Sequence, residues 1–87
     1  MPTPLVTVAM SVYNGAATVQ AALRSLLWQT FPDWELVLIN DGSADSTASV
    51  VDQFHDPRIR VIHASERRGL AARLNECVDV ARGKYIA

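Results

Sequence analysis

The sequence predicts an α/β fold in which helices cover both faces of a doubly wound, mostly parallel sheet, and three observations carry that expectation. Strand-like and helix-like apolar periods alternate along the whole chain in the order β-α-β-α-β-α-β. Residues 36–39 (LVLI) are apolar at every position and two are β-branched, the pattern of a strand buried on both faces. That run stops abruptly at the polar turn Asn40-Asp41-Gly42-Ser43. Right-handed crossovers between such strands make the sheet parallel.

Residues 5–12 (LVTVAMSV) are apolar or β-branched with only small polar residues between, which predicts a first buried strand ending at the turn Tyr13-Asn14-Gly15. Over 16–29, Val19, Ala22, Leu23, Leu26 and Leu27 follow the helical i, i+3, i+4, i+7, i+8 pattern. Pro32 ends that segment, and Trp28, Phe31 and Trp34 are expected to pack in the core or at its rim. After the Asp41 turn, Asp45 or Ser46 is placed to cap a short helix with Val50, Val51 and Phe54 on its buried side, closed by His55-Asp56-Pro57. Residues 58–63 (RIRVIH) alternate polar and apolar with period two, as a strand nearer the sheet edge does. The polar loop 65–69 leads to a helix over 70–81, whose apolar face reads as Leu70, Leu74, Cys77, Val78 and Ala81. Gly83 is placed as its C-terminal stop, and residues 84–87 open a fourth strand.

The 87 residues make one domain at most, and 8 basic against 9 acidic residues leave a net charge of −1. That balance excludes an electrostatic grip on nucleic acid, so no nucleic-acid partner is expected. Cys77 alone makes no internal disulfide and fits a reducing compartment. No leader pattern and no run of transmembrane length is present, so a cytoplasmic or cytoplasm-facing location is expected.

Tyr13, Asn14, Asp41, Gly42 and Ser43 fall at the carboxyl ends of the first two strands, where open α/β sheets form a ligand crevice. The loop with Arg67 and Arg68 opens on the same edge. A carboxylate only accepts, so Asp41 suits a base edge that offers an N–H, such as uracil N3 or guanine N1, and disfavours cytosine. Tyr13 supplies a flat face for stacking. Backbone N–H groups after Gly42 and the two arginines suit phosphate oxygens. Each feature also has a plainer explanation. Asp-Gly-Ser is a common turn before a helix cap, Tyr13-Asn14-Gly15 is a turn with an aromatic beside it, and arginine pairs often lie in solvated loops. Cys77 reads as a small hydrophobe, and neither His55 nor His63 has a carboxylate or cysteine at metal-ligand spacing.

Four stretches in register resemble family 2 glycosyltransferases: residues 8–15 (VAMSVYNG), 25–30 (SLLWQT), 40–47 (NDGSADST), and 69–75 (GLAARLN) continuing through 81–87 (ARGKYIA). The resemblance covers nearly the whole chain. It implies a Rossmann-like (GT-A) three-layer sandwich with a mostly parallel sheet, cut short after the start of the fourth strand. Residues 1–87 would then be the incomplete N-terminal, nucleotide-binding part of that domain. By the same resemblance Asp41 accepts from uracil N3 of a UDP-sugar, Tyr13 stacks on the base and Ser11 lies beside them. The nucleotide-binding set is then Ser11, Tyr13, Asn14, Asp41, Gly42, Ser43 and Arg68.

The family is inverting, displacing the nucleoside diphosphate directly with an acceptor hydroxyl, here of a saccharide or lipid-linked saccharide. A divalent metal, magnesium or manganese, sits on the diphosphate through an Asp-x-Asp motif that would begin just beyond Ala87, and the catalytic base comes later. No catalytic residue and no metal ligand is therefore assigned within this chain, and the 87 residues alone are expected to be inactive. The chain departs from the family pattern at Ser11, where proline is common, and at Asn40, where an acid is common. Arg67 and Cys77 stand in place of a common asparagine and glycine. The alternatives are a nucleotide-binding module without chemistry, and an α/β interaction domain that self-associates through the open edge of its short fourth strand.

Overall fold

The computed structural model describes residues 4–87. The elements follow the expected order: β1 Val6–Val12, α1 Ala16–Leu27, β2 Trp34–Asp41, α2 Thr47–Val51, β3 Ile59–Ala64, α3 Leu70–Val80 and β4 Tyr85–Ile86. The strands pair in parallel in the order β3-β2-β1-β4. The α/β sandwich predicted from the alternating periods is the architecture observed.

β2 is the spine. It is flanked along its length by β1, from Val6↔Trp34 to Val12↔Asn40, and by β3, from Leu36↔Ile59 to Asp41↔Ala64. All eight of its residues are buried. Side chains alternate along a strand. Trp34, Leu36 and Leu38 therefore meet Val19 and Leu23 of α1 and Val51 of α2, while Val37 and Ile39 meet Cys77 of α3 on the other face. Each large aliphatic side chain so buried stabilises the fold by about 1.5–3 kcal/mol.

Several local expectations are corrected. The strand predicted at 36–39 extends to Trp34 and Asp41, so Glu35, Asn40 and Asp41 are buried strand residues. Glu35 is satisfied there by the Thr7 hydroxyl (2.6 Å), the Arg82 N–H and the Arg60 guanidinium (3.3 Å). β1 is mostly half-buried rather than fully buried. The reason is that β4 pairs only with Val6 and Thr7, leaving the rest of that edge without a full neighbouring strand.

Among the aromatics, Trp34 is buried and Phe31 half-exposed, but Trp28 is 87% exposed, because α1 has already turned its apolar face inward through Val19 and Leu23. α2 is a single short turn that ends before Phe54, which still packs against the core from the segment beyond.

The predicted apolar face of α3 is rotated. Leu70 (62%) and Val78 (51%) are exposed, while Arg73 and Cys77 are buried. The acceptors that draw Arg73 inward come from β2 and the β3–α3 loop, so the helix turns its guanidinium towards them. Gly83 is not the helix stop, because α3 ends at Val80 with Ala81 already extended. Its role is close approach: a Cβ on Gly83 would lie 2.5 Å from the Thr7 backbone nitrogen. Its N–H donates instead to the Thr7 hydroxyl at 2.8 Å.

Candidate functional site

β1 and β2 run parallel and in register, so their polar ends emerge side by side. Asn14 adopts a positive φ of 50°, a conformation that asparagine tolerates better than most residues. From there its Oδ1 accepts the N–H groups of Ala44 (2.8 Å) and Asp45 (3.4 Å), while its own N–H donates to Ser43 Oγ (2.9 Å). Farther in, the Gly15 N–H donates to Thr47 Oγ1 (3.1 Å) and the Ala16 N–H to Asp45 Oδ2 (3.4 Å). Asp45 also accepts from the hydroxyl and the N–H of Thr47, which hold its carboxyl below the usual range. The two loops are thus tied together: the N-terminus of α1 is satisfied across them, while that of α2 is capped locally by Asp45, one of the two caps expected there.

Asp41 ends β2 on the other side of this tie, 2% exposed. Its Oδ1 accepts the Arg68 N–H (2.8 Å) and Arg73 Nε–H (2.7 Å), and its Oδ2 accepts the Gly69 N–H (2.9 Å). Burial opposes its ionisation, but the Arg73 bond and charge together with the two backbone N–H groups outweigh burial and hold the carboxyl down at about 2. A carboxylate offers about four lone-pair positions. Three are filled, and one remains for a further donor.

Gly42 follows with φ +69°, and a Cβ there would lie 2.6 Å from the Glu66 carbonyl carbon. Only glycine lets the turn after Asp41 pass this close to the β3–α3 loop.

Among the other candidates, Ser11 is half-buried on β1 opposite Ile39. The Arg68 guanidinium is turned to Glu66 (3.3 Å) and Glu76 (3.8 Å), so its link to Asp41 is its backbone N–H. Tyr13 is 42% exposed, with the Arg67 guanidinium carbon 4.2 Å from its ring centroid.

Asn40, buried next to Asp41, links the β2 turn to β3. Its Oδ1 accepts the Ser43 N–H (3.4 Å) and its Nδ2 donates to His63 Nδ1 (3.2 Å), which leaves His63 Nε2–H to donate to Asp52 (2.9 Å). Cys77 is buried beneath the sheet, where loss of solvation pushes its thiol pKa up, as expected of an unreactive cysteine.

Sequence reasoning missed Arg73, and it gave Arg67, with Arg68, a role toward phosphate oxygens but no contact with Tyr13. One signal for Arg73 was present: it precedes Cys77 by one helical turn and so shares its buried stripe. No such signal pointed Arg67 at Tyr13. Among the described residues no three His, Cys, Asp or Glu side chains come together as metal ligands would. Asp41 is committed to N–H donors, so the residues of this crevice do not fit a divalent cation.

The model of the family described as glycosyl transferase family 2 matches residues 7–87. EpsE of Bacillus subtilis strain 168 is 38% identical over 87 residues, which cover 97% of this chain and 31% of that protein. The Escherichia coli protein WfgD, named as a UDP-Glc:alpha-D-GlcNAc-diphosphoundecaprenol beta-1,3-glucosyltransferase, is 36% identical over 83 residues, 95% of this chain and 33% of its own. Among solved structures, the mannosyltransferase PcManGT from Pyrobaculum calidifontis, in complex with GDP-Man and Mn2+, is similar with a TM-score of 0.87. The match is 29% identical and covers 99% of this chain and 27% of that one. The chain spans 31%, 26% and 34% of three of the curated relatives it matches, about a third of their length.

Proposed function

This chain belongs to glycosyl transferase family 2 and has the GT-A fold, and from that premise we propose that it is the donor-binding part of an inverting transferase that uses a UDP-sugar. The observation that carries the reading is Asp41, a buried carboxylate with three N–H donors and one lone-pair position left over, at the end of the strand that runs beside the one leading into Tyr13. Its remaining lone pair accepts uracil N3–H, and Tyr13 stacks on the base. Guanine N1–H would satisfy the same lone pair, which agrees with the GDP-Man bound to PcManGT; cytosine N3, an acceptor, would not.

Ser11 lines the floor, and Asn14 and Ser43 hold the two loops at the spacing the base needs. Gly42 brings the β2 turn against the loop that supplies Arg67 and Arg68. Transfer breaks the bond between the sugar anomeric carbon and the diphosphate oxygen while the acceptor hydroxyl oxygen attacks from the opposite face. The acceptor site, the catalytic base and the divalent cation are assigned to the longer protein, since the relatives extend to about three times this length. The name of WfgD supports a lipid-linked saccharide as acceptor, and the cytoplasmic membrane face is the location that goes with this proposal. No helix among the described residues is long and apolar enough to cross a membrane.

The test is calorimetric titration with UDP and CDP. UDP is expected to bind at least about ten-fold more tightly than CDP, because CDP sets an acceptor against a carboxylate. Tyr13→Ala should weaken both. Equal affinity for the two nucleotides would remove Asp41 as the base reader.

A further inference from the structure

Arg67 stands apart from the other cations near the crevice. Arg68 meets Glu66 and Glu76, and Arg73 meets Asp41 and Glu76. Arg67 has no carboxylate within ion-pair distance among the described residues, and its guanidinium donates to no protein acceptor there. Its side-chain partner is the face of Tyr13, 4.2 Å from guanidinium carbon to ring centroid. At the other end, its backbone nitrogen lies 2.7 Å from where a Cβ on Gly42 would be, directly against the turn that follows Asp41. The side chain therefore bridges the Asp41 turn to the Tyr13 ring. A base that stacks on that ring face and also reaches Asp41 must enter the same interval.

We infer that Arg67 is a displaceable self-ligand of the donor site: its guanidinium covers the stacking face of Tyr13 until a nucleobase takes that face, and it then pairs with the nucleotide's diphosphate. The inference rests on the proposed stacking of the base on Tyr13. An arginine on an exposed ring is held weakly, by a factor of about two to five in equilibrium terms, so displacement is easy. Once released, its fork of donors carries a full positive charge with no acid to neutralise it, beside the phosphates that follow the base. The two halves of the ligand thus respond oppositely to this one residue. The base competes with Arg67, whereas the diphosphate recruits it.

The experiment titrates uridine and UDP separately into the wild type, Arg67→Ala, Arg67→Gln and Tyr13→Ala. Removing the cation should tighten uridine by about two- to five-fold and weaken UDP by about ten-fold, with a shallower salt dependence for UDP. Gln, which keeps much of the length without the charge, should show the same split. Uridine affinity that is unchanged or weaker in both Arg67 variants overturns the inference. If Tyr13→Ala weakens uridine while the Arg67 variants leave it unchanged, base stacking stands and only the self-ligand fails. If Tyr13→Ala has no effect, or if the wild type binds neither ligand, the donor-site reading fails and the inference falls with it.

Discussion

Arg73 Nε donates to Asp41 Oδ1 across 2.7 Å, joining the first turn of α3 to the last residue of β2 through two side chains that are 5% and 2% exposed. The same guanidinium donates to the Glu66 carbonyl (2.6 Å) and to Glu76 (2.8 and 3.1 Å). One side chain therefore holds the strand end, the β3–α3 loop and the helix together.

Arg73→Met should destabilise the protein strongly, because it strands a buried carboxylate. Adding Asp41→Ala to it should recover part of the loss. Arg73→Lys should not substitute, since one ammonium cannot meet three acceptors set out in a guanidinium's plane. Urea denaturation of the wild type, Arg73→Met, Asp41→Ala, the double variant and Arg73→Lys checks this, and strictly additive losses from Arg73→Met and Asp41→Ala would show that the pair is not coupled.

Stability should fall in acid over a defined window. Asp41 is held at about 2 against an ordinary 3.8. A lowered folded-state value adds stability that is complete above the unfolded value and disappears as the pH drops through the folded one. Its contribution is therefore lost between about pH 4 and pH 2. Glu35 acts with the same sign: burial resists its ionisation, but Thr7, the Arg82 N–H and Arg60 hold it below its ordinary 4.5. Thermal unfolding from pH 6 to pH 2 should show a steady decline starting near pH 4.5, with a smaller slope in Glu35→Gln. A flat profile down to pH 2 would refute the linkage.

Gly42→Ala places a Cβ 2.6 Å from the Glu66 carbonyl carbon at a φ of +69°. The backbone conformation alone costs an alanine about 1 kcal/mol or more, and the contact forces the β3–α3 loop outward. We expect lower stability together with weaker UDP binding, because the same shift pulls the Arg68 and Gly69 N–H groups from Asp41. Gly69→Ala, where φ is +94° but nothing lies within 4 Å of the added carbon, tests strain without the clash. Equal loss of UDP affinity in the two variants would argue against the loop contact.

β4 pairs with β1 on one side only, and its exposed Tyr85 and Ile86 leave an edge able to add another strand. Light scattering of the 87-residue chain should reveal self-association that rises with concentration. Ile86→Lys should reduce it. A monomer at millimolar concentration would count against the edge.

Much of the architecture was legible because it is periodic. The unbroken apolar run in β2 announced a central strand, the two-residue alternation of β3 announced an edge strand, and the stripe from Val19 to Leu27 set the buried face of α1. The polar turns at Tyr13-Asn14 and Asp41-Gly42-Ser43 marked where β1 and β2 end and their loops meet. Periodicity misled at α3, where Leu70 and Val78 scored as buried for being apolar. Trp28, expected to pack in the core or at its rim, is instead exposed just beyond the end of α1.

The sequence by itself determined the α/β alternation, the carboxyl-end location of Asp41 and Tyr13, and the family, because each of these is written in local residue order. Only the tertiary structure decided that Arg73 is buried against Asp41 and that Arg67 lies on Tyr13. Burying a charge is favourable only where an opposite charge and hydrogen-bond acceptors await it. Here the partner is 32 residues away in the chain, so the one-turn spacing from Cys77 could place Arg73 on a buried stripe but could not disclose that Asp41 is its partner.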